Sequence, residues 1–162
     1  MKKIILLMFF TIFCIKLSNS EESVPVDVVA DSMQWDDKER IAYAKGNAEA
    51  NQGERKLSAD ELIVHLNKNN SDNEVIMIEA KGNVIFITKT EIGTGEKAKY
   101  DLIKNNIIIE DNVTLKKEEN VMVGQYLEMN LTNGVSKIKS DKENKRVRVR
   151  FSTEKKELES ND

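Results

Sequence analysis

The chain has 162 residues, of which 40% are apolar, 33% charged and 6% aromatic, which is room for one ordinary domain. Lys and Arg total 25 against 28 Asp and Glu, and a net charge of −3 argues against a protein built to neutralise the phosphates of a nucleic acid. One His, one Cys and one Pro leave no material for a His-based active centre, a Cys and His metal cage or a disulfide framework, and no cofactor is implied.

The first twenty residues differ from the rest. Lys2 and Lys3 precede an apolar run from Ile4 to Ile15, broken only by Thr11, and Ser18 and Ser20 are small residues at the two positions that a signal peptidase reads. As a helix this run spans about 18 Å, short of a bilayer core of about 30 Å. The expected organisation is a signal peptide over 1–20, a β domain over 21–152 and a charged polar tail over 153–162; a retained N-terminal anchor is the alternative. Cys14 is followed by Ile15 and Lys16, without the small residue expected after a lipid-modified cysteine. Loss of residues 1–20 removes Lys2, Lys3 and Lys16 and no acid, so the charge falls from −3 to −6. It also removes Cys14, so the exported chain is held by packing and not by disulfides. Trp35, Tyr43, Phe86, Tyr100, Tyr126 and Phe151 remain as the only aromatics, a poor supply for base or sugar stacking.

From residue 26 onward the apolar period is two. Met33 and Trp35, then Leu62, Val64 and Leu66, then Ala98, Tyr100 and Leu102, then Leu127, Met129 and Leu131 alternate with polar residues and read as half-buried strands. The runs Val75 to Ile78, Val84 to Ile87 and Ile107 to Ile109 are apolar on both faces, which predicts strands covered on both sides. Between the strands lie Asp36-Asp37-Lys38, Asn67-Lys68-Asn69-Asn70, Lys104-Asn105-Asn106 and Thr132-Asn133-Gly134, residues suited to hairpin turns. Pro25 precedes the first strand, and only the stretch from Lys56 to Leu66 offers a competing helical period.

Four segments share one layout, a short polar start followed by alternating apolar residues and a polar turn. They start at Ala30-Asp31, Ala59-Asp60, Gly95-Glu96 and Gly124-Gln125, spaced by 29, 36 and 29 positions. Ala44-Lys45-Gly46-Asn47 recurs as Ala80-Lys81-Gly82-Asn83 and is echoed by Glu110-Asp111-Asn112. Repeated short strands with regular turns fit a sandwich, barrel, jelly roll or β-solenoid, and the repeats favour a stack with open ends whose edge strands can recruit another molecule.

Val29-Ala30-Asp31-Ser32-Met33, the repeated Ala-Lys-Gly-Asn and Gly124-Gln125-Tyr126-Leu127, in that order over about residues 26–151, resemble the OstA-like family of lipopolysaccharide-transport proteins of the LptA type. The resemblance implies an all-β, antiparallel jelly-roll-like stack of strand repeats with open ends. It further implies a non-enzymatic protein of the periplasm of Gram-negative bacteria whose apolar interior holds the acyl chains of lipopolysaccharide. Such proteins join end to end and bridge inner-membrane and outer-membrane lipopolysaccharide-transport complexes, which makes those complexes, and other copies of the chain, the expected partners.

An acyl-chain groove needs apolar side chains on one face of many strands and no reactive group. The candidate lipid-lining residues are Met33, Trp35, Leu62, Val64, Leu66, Val84, Phe86, Tyr100, Leu102, Ile109, Val113, Leu115, Leu127, Met129 and Leu131. Alternation identifies an inward face and leaves open whether lipid or protein fills it. The competing readings are the membrane-anchored partner of the same transport system and a closed structural or adhesive β-repeat protein without a lipid ligand.

Other polar features have plainer explanations. His65 sits in an alternating strand as a packed or surface histidine, and Asp36-Asp37 and Glu118-Glu119 lie in turns beside lysines, as solvated carboxylates do. Arg146, Arg148 and Arg150 alternate with Val147, Val149 and Phe151, a basic face open to lipid phosphates, an acidic partner or water. The chain has no Gly-rich phosphate loop followed by Lys and Ser or Thr, so energy for extracting a lipid must come from elsewhere.

Overall fold

The computed structural model describes residues 24–69, 73–140 and 146–152, so the expected signal peptide and charged tail lie outside the described residues. Ten strands form one antiparallel sheet: β1 (Asp27–Val29), β2 (Ser32–Asp36), β3 (Ile41–Gln52), β4 (Arg55–Leu66), β5 (Val75–Ile87), β6 (Glu91–Asp101), β7 (Asn106–Lys117), β8 (Asn120–Asn130), β9 (Val135–Lys139) and β10 (Arg148–Arg150). No helix occurs among the described residues; Lys56 to Leu66 lies within β4, so the period of two wins over the helical one. The six strands from β3 to β8 pair with their sequence neighbours, and short strands finish each end, β1 and β2 on β3, β9 and β10 on β8.

Each long strand bends in the middle. The register slips at the same level throughout, between Lys45 and Ala48, Lys81 and Val84, and Glu110 and Val113, where two residues oppose Asp60, Glu96 or Gln125 alone on the next strand. These bulged pairs are the Gly46-Asn47, Gly82-Asn83 and Asp111-Asn112 of the repeats. All six have positive φ, a conformation that Gly, Asn and Asp accept. Asn47 Nδ2 donates to Asp31 Oδ2 and Asn83 Nδ2 to Asp60 Oδ2, both at 2.9 Å, so the acids of the first two repeats each fasten the next bulge.

The bulges crease the sheet into two leaves. The first contains β2, residues 41–45, 61–66, 75–81, 97–101, 106–110 and 126–130, and β9; the second contains β1, residues 48–52, 55–59, 84–87, 91–95, 113–117 and 120–124, and β10. Phe86 pairs in register with Gly93, and Tyr100 lies seven residues further along the same strand, about 23 Å away were that strand straight. Instead the rings of Phe86 and Tyr100 meet with centroids 5.5 Å apart, which requires the leaves to face each other. The segments read from the sequence as starts of strands are therefore the creases within them. Ala59-Asp60, Gly95-Glu96 and Gly124-Gln125 fall mid-strand, and one repeat runs out and back on each leaf. The spacing of 36 contains the longest connection between neighbours from β3 to β8, the stretch from Leu66 to Val75.

Small residues let the leaves meet at the crease. Ala44, Ala48, Ala59, Ala80 and Ala98 are buried there, and a Cβ on Gly124 would stand 2.7 Å from Ile138 Cγ1 and 2.8 Å from the Lys139 carbonyl oxygen. The expectation that the doubly apolar strands are covered on both sides does not hold. Ile85 and Ile92 are 40% and 39% exposed on the outward face, and nothing among the described residues covers it.

Candidate functional site

Among the described residues the fold gathers its buried apolar side chains into the interior between the leaves. Of the fifteen candidate lining residues, Leu62, Val64, Leu66, Val84, Phe86, Tyr100, Ile109, Val113, Leu115, Leu127 and Met129 are buried there, and Leu102 and Leu131 pack partly buried against them. Met33 and Trp35 are the exception, 54% and 50% exposed. They still point inward, because Met33 pairs with the buried Ala44 and Trp35 with Ala42, and antiparallel partners share a face. Their exposure comes from position, since β2 is the last strand of its leaf and, among the described residues, has no neighbour on its other side.

The opposite end has the same character. Val149 of β10 pairs with Met122, which packs on the core, and is 39% exposed; Phe151, just beyond, is 73% exposed. Arg148 and Arg150 pair with Val123 and Val121 on the outward face. The apolar interior thus runs from one open edge of the stack to the other.

At the crease the leaves are joined by continuous backbone; at the far margin only side chains join them. Arg55, beside the β3–β4 turn of the second leaf, donates through Nη1 to Tyr100 Oη at 2.9 Å and to Asn105 Oδ1 at 2.6 Å, both on the first leaf. The Tyr100 hydroxyl in turn donates to Gln52 Oε1 at 2.6 Å. A second clasp centres on Glu91, a buried carboxylate on the second leaf, which accepts from Ser136 Oγ of β9 at 3.2 Å and lies 2.9 Å from Lys117 Nζ. The hydrogen bond to Glu91, reinforced by its charge, raises the Lys117 ammonium above its ordinary pKa. The ion pair with Lys117 offsets part of the cost of burying Glu91.

Between these clasps the margin opens into a cleft of about 470 Å³, lined by Val24, Gln52 to Arg55, Thr88 to Glu91, Asn130, Leu131 and Gly134. The sequence reading missed Gln52, Arg55, Glu91, Asn105 and Ser136 as a group. They are far apart in the chain, and only creasing the sheet brings Gln52 to Tyr100 and Glu91 to Ser136; a Glu at an inward position of an alternating strand was the one available signal.

His65 Nε2 stands 3.3 Å from Glu79 Oε1 on the outward face of the first leaf, away from the interior. No group of three or more His, Cys, Asp or Glu able to hold a metal occurs among the described residues.

The family model described as the LptA/(LptD N-terminal domain) LPS transport protein matches residues 27–135, from the first strand to the start of the ninth. The chain belongs to this family. It is an OstA-like protein of the LptA type, and lipopolysaccharide transport is the process to which the family belongs. Among solved structures the fold is similar to that of LptH from Pseudomonas aeruginosa, described as the LptA homologous periplasmic component of the conserved lipopolysaccharide transport device. The TM-score is 0.72 with 18% identity over 80% of this chain and 96% of that one, a likeness of fold, jelly-roll-like and unclosed. No protein with curated function matches the chain.

Proposed function

We propose that this chain is a periplasmic bridge protein that holds the acyl chains of lipopolysaccharide between its two leaves and passes the lipid from inner-membrane to outer-membrane transport complexes. The observation that carries this reading is the apolar inner face that continues through both ends of the stack, with Met33 and Trp35 presented inward at one edge and Val149 at the other. A closed structural domain has no use for large inward-facing apolar residues at open edges, whereas end-to-end copies would extend the interior into one conduit.

The core side chains now fill the space between the leaves. Acyl chains would enter by parting the leaves, exchanging one set of apolar contacts for another at small net cost and gaining about 0.8 kcal/mol for each methylene withdrawn from water. In this reading residues 1–20 are the export signal, residues 21–152 the working domain, and the protein has no catalytic role.

Phe86 and Ile85 are neighbours on β5 that face opposite ways, the first buried inside and the second 40% exposed outside. A photo-crosslinking side chain at Phe86 is expected to capture lipopolysaccharide in cells, and the same group at Ile85 is not. Equal capture at both positions, or capture at neither, would overturn the reading.

A further inference from the structure

The interior has a second approach besides its ends. Behind the cleft at the far margin lies a small apolar void lined by Val26, Ala50, Leu57, Ile78, Phe86 and Tyr100, and the same two side chains, Gln52 and Arg55, line both spaces. In front of them the cleft carries Thr88, Lys89, Thr90 and Asn130, groups that bind hydroxyls and anions, together with two carboxylates, Glu54 and Glu91, the second already paired with Lys117. Behind them everything but the Tyr100 hydroxyl is hydrocarbon. The partition is made of three side-chain hydrogen bonds, Arg55 to Tyr100, Arg55 to Asn105 and Tyr100 to Gln52, and among the described residues no backbone ladder links the leaves at this margin.

We propose that the Gln52, Arg55, Tyr100 and Asn105 clasp is a side portal, through which a fatty acyl chain passes into the interior while its anionic, hydroxylated head stays in the cleft beside Arg55 and Lys89. The proposal rests on the reading of the interior as a lipid site and adds a route to it that does not run through the open ends. The chemistry on the two sides of the clasp divides as an amphiphile divides. Breaking the clasp exposes the Arg55 guanidinium, which a phosphate or carboxylate on the head can then satisfy, so the anion offsets the cost of opening the leaf margin. At the crease, by contrast, every long strand crosses from leaf to leaf as covalent backbone, and no lateral opening is available.

Two substitutions loosen the clasp with little effect on the fold. Tyr100→Phe removes the hydroxyl and keeps the ring that packs on Phe86. Asn105→Gly removes the second acceptor of Arg55 and suits the positive φ of 53° at this position. Binding of purified lipopolysaccharide to the exported wild-type chain and to the double variant is followed by stopped flow and at equilibrium. The portal predicts that association and dissociation both accelerate about tenfold in the variant while the equilibrium constant moves less than about threefold. Lys89→Ala is expected to weaken binding without accelerating association, because it removes a contact to the head and leaves the clasp intact.

If the wild-type chain binds lipopolysaccharide and the double variant binds and releases it at wild-type rates, the clasp is a structural tie, the portal is wrong, and the interior reading stands. If the wild-type chain binds none, the interior reading falls and takes the portal with it.

Discussion

Gly46 and Gly82 have φ of 77° and 76°, and each lies under the carboxylate of the acid that opens a repeat, Asp31 or Asp60. A Cβ on either glycine would collide with that carboxylate as well as strain the backbone. Gly82→Ala is therefore expected to cost about 2 kcal/mol or more of stability in chemical denaturation. Asp60→Ala in the same chain clears the collision and leaves only the backbone strain, so the pair should cost less than the sum of the singles. Strict additivity would show that the carboxylate is not what confines Gly82. At this scale the sequence was readable where one residue type answers one backbone demand, as in the repeated Gly-Asn. It was silent on Arg55 and Glu91, whose partners Tyr100 and Ser136 lie 45 positions away along the chain.

The strands were legible because alternation is a local property, and Leu62, Val64, Leu66, Leu127 and Met129 all face inward as the period of two requires. The Asn-rich turns of the first leaf were legible for the same reason. Of those of the second leaf, Glu118-Glu119 was read as a turn, whereas Gly53-Glu54 and Thr88 to Thr90 lack a cluster of turn residues and their hairpins follow from the registers alone. The creases were visible as repeats but not as bends, because a bulge keeps the alternation going on both sides of itself. The edge strands carry a consequence of their own. Trp35 is the only tryptophan and stands half-exposed on β2, so its fluorescence reports directly on whether that edge is covered. If copies join end to end, its emission should shift to the blue as protein concentration rises, and Val149→Asp at the opposite edge should abolish the shift. A concentration-independent spectrum in a sample that does oligomerise would place the contact elsewhere.

At the scale of the whole molecule, one creased sheet gives an apolar interior joined by backbone on one side, tied by side chains on the other and open at both ends. Among the described residues no group of three or more His, Cys, Asp or Glu could hold a metal, and in the proposed reading such a form shelters hydrocarbon and hands it on. Family membership was legible from short motifs in order, since the creases that bear them are what the fold repeats. Whether hydrocarbon from a lipid or only the chain's own side chains fills the interior was not legible, because both demand the same residues at the same spacing. Co-purification decides between them. The full chain is exported to the periplasm of a Gram-negative host, purified gently and analysed by native mass spectrometry. The account predicts lipid A at a substantial molar fraction, displaced by added lipopolysaccharide; a stably folded protein that carries none and takes up none would contradict it.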